Sequence, residues 1–255
     1  MSRLTAEFSR LYLVPDPDSQ EPGRLVATDG MVKAMVLEIA RPADWAELSR
    51  VWNATQSELE LPAAAIAVSG IDGLQLWFSV AEPVSAADAV EFLAALQNKY
   101  LSAIPAKRIS AYPSSVSVST ESIVHARGVP AIREGTGNWS AFVSSDLASV
   151  FGEEPWLDIP PNQDQQADIL SRLKSMKLSQ FRDVMNLLSG ALTHETYPVG
   201  DAANKPRGSD AEPSGYNTGT TSPKEFLTKV MNDPAVALRD RIEAAKALLA
   251  YESHL

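Results

Sequence analysis

The order of apolar patterns across residues 31–101 constrains the fold more than any other feature of this 255-residue chain. Residues 31–40 form an apolar, β-favouring run, which predicts a strand. Residues 43–59 then place apolar side chains at helical spacing, with Asp44 in the first turn, which predicts a helix. A strand followed directly by an amphipathic helix indicates a sheet with helices packed on it.

The next part of this region predicts a β-hairpin and a second helix. A short apolar run over residues 64–68 and an alternating run over residues 74–80 flank the turn-forming sequence of residues 69–73. Ser85 then has the character of a helix N-cap, with Asp88 at the capping-box position. The sequence therefore predicts strand, helix, hairpin and helix in that order.

The rest of the main body predicts more strands and a helical end. Four strands are expected, the last two joined by a glycine-containing turn, over residues 108–112, 122–126, 129–133 and 138–143. The apolar pattern of residues 165–188 predicts two packed helices broken near residues 177–179. The fold class expected from these elements is α+β, a mixed β-sheet flanked by helices.

Composition divides the chain into three parts. Residues 1–193 form the α+β body, whose helical end covers residues 163–190. Residues 194–221 are rich in Pro, Gly, Ser and Thr, which predicts a flexible linker. Residues 222–255 carry two cap-plus-proline helix starts and predict a helical hairpin. The apolar face of this hairpin is too small to be stable alone, so we expect it to dock on the body, on a second copy or on another protein.

Charge and cysteine content exclude several functions. The net charge of −10 disfavours general binding to nucleic acid, because it repels phosphate backbones. The lack of cysteine excludes disulfides, thiolate nucleophiles and cysteine-ligated zinc. No apolar run is long enough to span a membrane, and the N-terminal residues lack the pattern of a signal peptide, so a cytoplasmic protein with no membrane partner is expected.

The strand and hairpin sequences resemble those of a known family. Residues 35–40, a helix, and then residues 67–70 and 73–78 are similar to successive elements of archaeo-eukaryotic primases, which include the polymerase domain of bacterial end-joining ligases. In that family the first strand carries an Asp-x-Asp pair for two metal ions, and the hairpin reads Ser-x-Gly-x-His, with Ser and His on nucleotide phosphate. Ser69 matches the family serine, and Gly70 and Gly73 match its turn.

The departures from the family pattern indicate a domain that has lost catalysis. Two-metal phosphoryl transfer needs paired carboxylates, whereas the first strand offers only Glu38. Gln75 stands where the family has histidine, and an amide brings neither a positive charge nor a titratable proton. No catalytic residue and no cofactor is therefore expected, and Glu38 is at most a weak metal candidate. The candidate ligand-binding residues are Ser69, Gly70, Asp72, Gln75 and Trp77.

Each candidate also has a purely structural interpretation. Glu38 can be a polar residue on an exposed edge or face of its strand. Ser69, Gly70 and Asp72 are residue types that a tight turn requires for its backbone alone. Trp77 can stack on a base or sugar, or it can cover a packed helix. The residues alone leave these alternatives open.

Three functional hypotheses follow. The first, which we favour, is a non-catalytic primase-like binding or interaction module, with residues 222–255 as a tethered assembly element. The second is a metal-dependent nucleotidyltransferase or nucleotide-binding enzyme that uses Mg²⁺ or Mn²⁺ on Glu38 and later acids such as Glu121 or Asp146. The third is an unrelated α+β domain. The terminal hairpin also resembles, over a short stretch, a helical segment of phage small-terminase-like proteins, which hints at assembly.

Overall fold

The computed structural model describes residues 1–15, 23–115 and 123–192. Within these ranges the chain forms six α-helices, seven strands and two short 3-10 helices. The helices are α1 (Arg3–Tyr12), α2 (Trp45–Ser57), α3 (Ala86–Tyr100), α4 (Ser145–Ala148), α5 (Gln163–Ser171) and α6 (Leu178–Leu192). The strands are β1 (Met31–Ala40), β2 (Ala65–Val68), β3 (Gly73–Ser85), β4 (Ile109–Tyr112), β5 (Ser114–Ser115), β6 (Ile123–Val124) and β7 (Ala141–Val143). The 3-10 helices are Ala106–Arg108 and Ser149–Phe151.

Five strands form one sheet in the order β4-β1-β3-β2-β7, and β5 pairs with β6 in a separate ribbon. All neighbouring strands of the large sheet pair antiparallel, and an isolated parallel bridge joins Val80 to Met176. The β2–β3 hairpin is present as predicted. The α+β class, a sheet flanked by helices, is therefore confirmed.

The sheet has a hydrophobic core on each face. Side chains of β1 alternate between the two, so that Met35, Leu37 and Ile39 join the core under α2, α3 and α6. Ala34 and Val36 join the second core, which α1 and α5 cover. A strand buried on both faces reads as a continuous apolar run rather than an alternating one. This explains the pattern of residues 31–40.

Side-chain caps fix the starts of α2 and α3. Asp44 accepts hydrogen bonds from Ala46 N and Glu47 N at the start of α2. Ser85 accepts one from Asp88 N at 3.1 Å at the start of α3, which confirms the predicted N-cap. Caps of this kind satisfy backbone donors that the first helical turn leaves free. The starts of these helices are thus determined by local sequence.

The break in the helical end lies earlier in the chain than the sequence predicts. The prediction places it at residues 177–179, whereas α5 ends at Ser171 and α6 begins at Leu178. Met176 donates its N–H to Ser79 O at 2.8 Å and accepts the N–H of Ala81 at 2.8 Å. Because this residue pairs with β3, it cannot also belong to a helix. Tertiary pairing overrides the apolar helical pattern there.

The two predicted strands of residues 129–133 and 138–143 are shorter in the structure. An isolated bridge between Ile132 and Trp139 joins them, and a regular strand forms only at β7, which pairs with β2. The chain as a whole divides into two units, Met1–Pro198 and Val199–Leu255. The predictions for residues 194–221 and 222–255 lie outside the described residues. Within the described ranges, no helix has the length and apolar content needed to cross a lipid bilayer.

Candidate functional site

The turn between β2 and β3 is organised by the hydroxyl of Ser69. Its Oγ accepts hydrogen bonds from the backbone N–H groups of Ile71, Asp72 and Gly73 at 3.2, 3.1 and 2.9 Å. The Ser69 N–H donates to Gly73 O at 2.8 Å, and the residue is buried. A serine oxygen has two lone pairs, so three backbone donors fully occupy it as an acceptor. The structural role given to Ser69 as a turn residue is present in the fold.

Gly70 occupies a position that a larger residue cannot take without strain. Its φ of +78° lies in the left-handed region, and its N–H donates to Pro155 O at 3.0 Å. A Cβ at this position would lie 2.8 Å from Ser140 N. The turn is therefore packed tightly against residues 139–140. Asp72, half-buried, follows in the same turn.

Glu38 lies beside this turn on an inner strand. The sequence interpretation of an exposed edge or face is wrong, because β1 lies between β4 and β3 and Glu38 is half-buried. A Cβ on Gly73 would come within 2.7 Å of Glu38 Cγ. The glycine thus leaves the space that the Glu38 side chain fills.

Glu38, Gln75 and Trp77 form a continuous hydrogen-bonded row across β1 and β3. Gln75 Nε2 donates to Glu38 Oε2 at 2.7 Å, and Trp77 Nε1 donates to Gln75 Oε1 at 2.8 Å. Gln75 and Trp77 are buried, with 3% and 1% of their surfaces exposed. Both ends of the Gln75 amide are therefore used inside the protein, as buried polar groups require.

The environment of Glu38 favours its neutral form. Burial raises the pKa of the Glu38 carboxyl, and the negative charge of Asp72 adds to the increase. The hydrogen bond from Gln75 and the positive charge of Arg133 act in the opposite direction. A carboxyl with a raised pKa is a weaker cation ligand than an ordinary glutamate, because metal binding needs the deprotonated form.

Trp77 packs within the second core. Its ring centroid lies 5.9 Å from that of Phe8, 5.2 Å from Tyr12 and 6.0 Å from Phe142. His125 lies 6.4 Å away, between centroids. These distances are typical of packed aromatic clusters. The indole has the helix-covering arrangement that the sequence offers as the alternative to stacking on a base or sugar.

His125 is a half-buried residue next to β1. Its Nε2 lies 3.1 Å from Ala34 O, and its Nδ1 has no hydrogen-bond partner among the described residues. Burial lowers the pKa of the His125 imidazole, although the hydrogen bond with the backbone of Ala34 opposes the decrease. The described residues therefore satisfy one ring nitrogen of His125 and leave the other without a partner.

Arg133 is the site residue that sequence reasoning misses. It has 5% of its surface exposed, and its Nε donates to Ser69 O at 2.7 Å. Burial and the positive charge of Arg127 lower the pKa of Arg133, whereas the negative charge of Glu38 raises it. The available signal was an arginine at the end of the apolar run of residues 129–132. The contact with Ser69 spans 64 residues of chain, so no local pattern reveals it.

The described residues do not assemble the donor set of a metal site. Within residues 1–15, 23–115 and 123–192, no group of three or more His, Cys, Asp or Glu side chains could hold a cation. Asp146 lies exposed in α4, and Glu121 falls outside the described residues. Ligand binding by Ser69, Gly70, Asp72, Gln75 and Trp77 stays a prediction.

Comparisons with known proteins show similarity only among solved structures, and it is weak. No protein-family model matches the chain, and no curated protein matches it by sequence. Among solved structures, the polymerase domain of Ligase D from Mycobacterium tuberculosis, in complex with DNA, is similar at 18% identity and a TM-score of 0.35. The match covers 71% of this chain and 61% of that domain. It is a weak similarity at the level of the fold and carries no argument about activity.

Proposed function

We propose that the body of this protein is a non-catalytic binding or interaction module, with residues 222–255 as its assembly element. The observation that carries the proposal is that the polar groups of the site already serve the fold. The Ser69 hydroxyl accepts three backbone N–H groups, and the Gln75 amide is bonded at both ends. Groups held in this way position strands rather than reactants.

The electrostatics of Glu38 support the same proposal. Two-metal catalysis needs ionised carboxylates that hold two cations about 3.5–4 Å apart. Glu38 is half-buried, accepts a hydrogen bond from Gln75 through one carboxylate oxygen and has a raised pKa. Asp72 lies close enough for its charge to act on Glu38, and this proximity raises the cost of ionising Glu38. The pair is therefore arranged for structure rather than for cation binding.

A calorimetric titration tests this proposal. A nucleoside triphosphate is titrated with Mn²⁺ or Mg²⁺ into the full-length protein and into Glu38→Ala and Ser69→Ala. We expect that the wild type shows no metal-dependent binding of the nucleotide that is lost in both Glu38→Ala and Ser69→Ala. Saturable binding that both substitutions abolish, in variants that remain folded, would instead support the nucleotide-binding alternative.

The assembly role of residues 222–255 is tested with a matched pair of variants. Phe226→Glu places a charge on the apolar face predicted for the first terminal helix, and Thr228→Glu adds the same charge off that face. We expect Phe226→Glu to lower the oligomeric mass measured by light scattering or to reduce partner binding, and Thr228→Glu to leave both unchanged. Equal behaviour of the two variants would remove the support for an assembly role.

A further inference from the structure

A cleft beside the turn is lined by two arginines and an apolar wall. It is open to solvent and bordered by α1 residues and by residues 127–134, and its volume is about 550 Å³. This is within the range of small-molecule sites, which is about 300–1,000 Å³. Leu4, Phe8 and Ile132 contribute apolar surface, and Arg127 and Arg133 contribute positive charge. We call it the arginine cleft.

Arg133 carries a charge that the described residues do not neutralise. The residue is 5% exposed, yet it forms no salt bridge with any carboxylate of the described ranges. Its Nε donates to Ser69 O at 2.7 Å. No hydrogen bond of the described residues involves its two terminal nitrogens, and these are not among the fully buried atoms without a partner, so they keep contact with solvent. A guanidinium that is mostly withdrawn from water and has no carboxylate partner is stabilised by an anion that reaches its terminal nitrogens.

The charges around Arg133 favour the binding of an anion in the arginine cleft. Arg127 lies near enough for its charge to act unfavourably on Arg133, and it is itself exposed and without a salt bridge in the described residues. Glu38 is the acid whose charge favours Arg133, but burial disfavours the ionised form of Glu38. Glu134 also lines the cleft, and it is exposed and pairs with neither arginine.

We propose that the arginine cleft binds a small organic oxyanion, a carboxylate or a phosphate monoester with an apolar group. The guanidinium fork matches the geometry of both oxyanions, and Leu4, Phe8 and Ile132 cover the apolar part of the ligand. This site goes beyond the proposed function, since Glu38, Ser69 and Gln75 do not line the cleft. It needs no metal ion and no chemical step.

The test uses ligand-observed NMR on the full-length protein with three probes. Phenylacetate and phenyl phosphate each carry an apolar ring and separate the carboxylate from the phosphate source, and inorganic phosphate reports the anion alone. We expect saturable binding of at least one ring-bearing probe, tighter than that of inorganic phosphate. The probe that binds more tightly identifies the class of oxyanion.

Matched variants decide whether this binding occurs in the arginine cleft. Arg127→Gln removes an exposed cation of the cleft, and we expect it to weaken binding about tenfold or more. Lys107→Gln makes the same charge change at an exposed residue that does not line the cleft and should change affinity less than about twofold. Arg133→Lys keeps the charge but loses the fork and should also weaken binding.

Two results would overturn the proposal. One is no saturable binding of either ring-bearing probe to the folded wild-type protein. The other is an equal loss of affinity in Arg127→Gln and Lys107→Gln. Because Arg127 is exposed, its variant should stay folded even if a change at the buried Arg133 does not. Nucleotidyl transfer by the protein would contradict the proposed function without changing the outcome here, so the two failures are distinguishable.

Discussion

Replacement of Ser69 by alanine should destabilise the protein because the hydroxyl holds the β2–β3 turn. The substitution removes the acceptor for the N–H groups of Ile71, Asp72 and Gly73. Ile71 is exposed and Asp72 is half-buried, so water can replace the serine at those two donors. The bond from Gly73 N is buried, and its donor is left unsatisfied.

The expected cost of Ser69→Ala is therefore that of one buried unsatisfied donor. Such a donor costs about 1–3 kcal/mol, so we expect the free energy of unfolding to fall by about 2 kcal/mol. Urea denaturation at 25 °C, followed by tryptophan fluorescence, measures this change. The midpoint should shift while the dependence on urea concentration stays the same.

Ser49→Ala is the matched control for this experiment. Its hydroxyl donates to Ala46 O within its own helix in an exposed bond, so its loss should change the free energy of unfolding by less than about 0.5 kcal/mol. If Ser69→Ala costs no more than Ser49→Ala, the hydroxyl does not hold the turn. The structural role assigned to Ser69 would then be refuted.

Three further perturbations test the environment of the site. Because burial raises the pKa of Glu38 in the folded protein, its contribution to stability is lost as pH rises above about 4.5 through the raised folded pKa. In urea titrations, the stability of Glu38→Gln relative to the wild type should therefore increase from pH 4 to pH 7. Gly70→Ala should lower the free energy of unfolding by about 2 kcal/mol or more, because it combines a left-handed φ with a close contact to Ser140 N. Gly137→Ala, at φ +76° in open space, should lower it by only about 1 kcal/mol. Equal losses of the two variants in thermal melts would contradict the close packing around Gly70. Because the pKa of His125 is lowered in the folded protein, its contribution to stability is present above about pH 6.5 and lost as pH falls through the folded pKa. His125→Gln should therefore reduce the loss of stability at acid pH. An unchanged dependence of stability on pH in this variant would show that His125 is not the source of that loss.

Local sequence predicts the main elements of the fold well. The apolar run of residues 31–40 becomes β1, and Ser85 caps α3 through the Asp88 N–H. The glycine and serine of residues 69–70 form the expected hairpin turn. In each case the determining interaction lies within a few residues of chain, where periodicity and capping chemistry are informative.

The properties that the sequence does not predict depend on distant contacts. The segment around Met176 pairs with β3 instead of continuing a helix. Glu38 is half-buried because β4 adds to the far side of β1, which no pattern within residues 31–40 indicates. Arg133 meets Ser69 across 64 residues. Strand order and long-range polar contacts are set by the packing of the whole sheet rather than by local residues.

Primer extension most directly tests the claim that the site serves the fold rather than catalysis. Purified full-length protein is given a primed template, nucleoside triphosphates and Mn²⁺ or Mg²⁺, beside a Glu38→Ala variant of equal folded fraction. We expect no primer extension by either protein, since Glu38 has a raised pKa and one of its carboxylate oxygens accepts a hydrogen bond from Gln75. Metal-dependent extension by the wild type that Glu38→Ala abolishes would contradict the account.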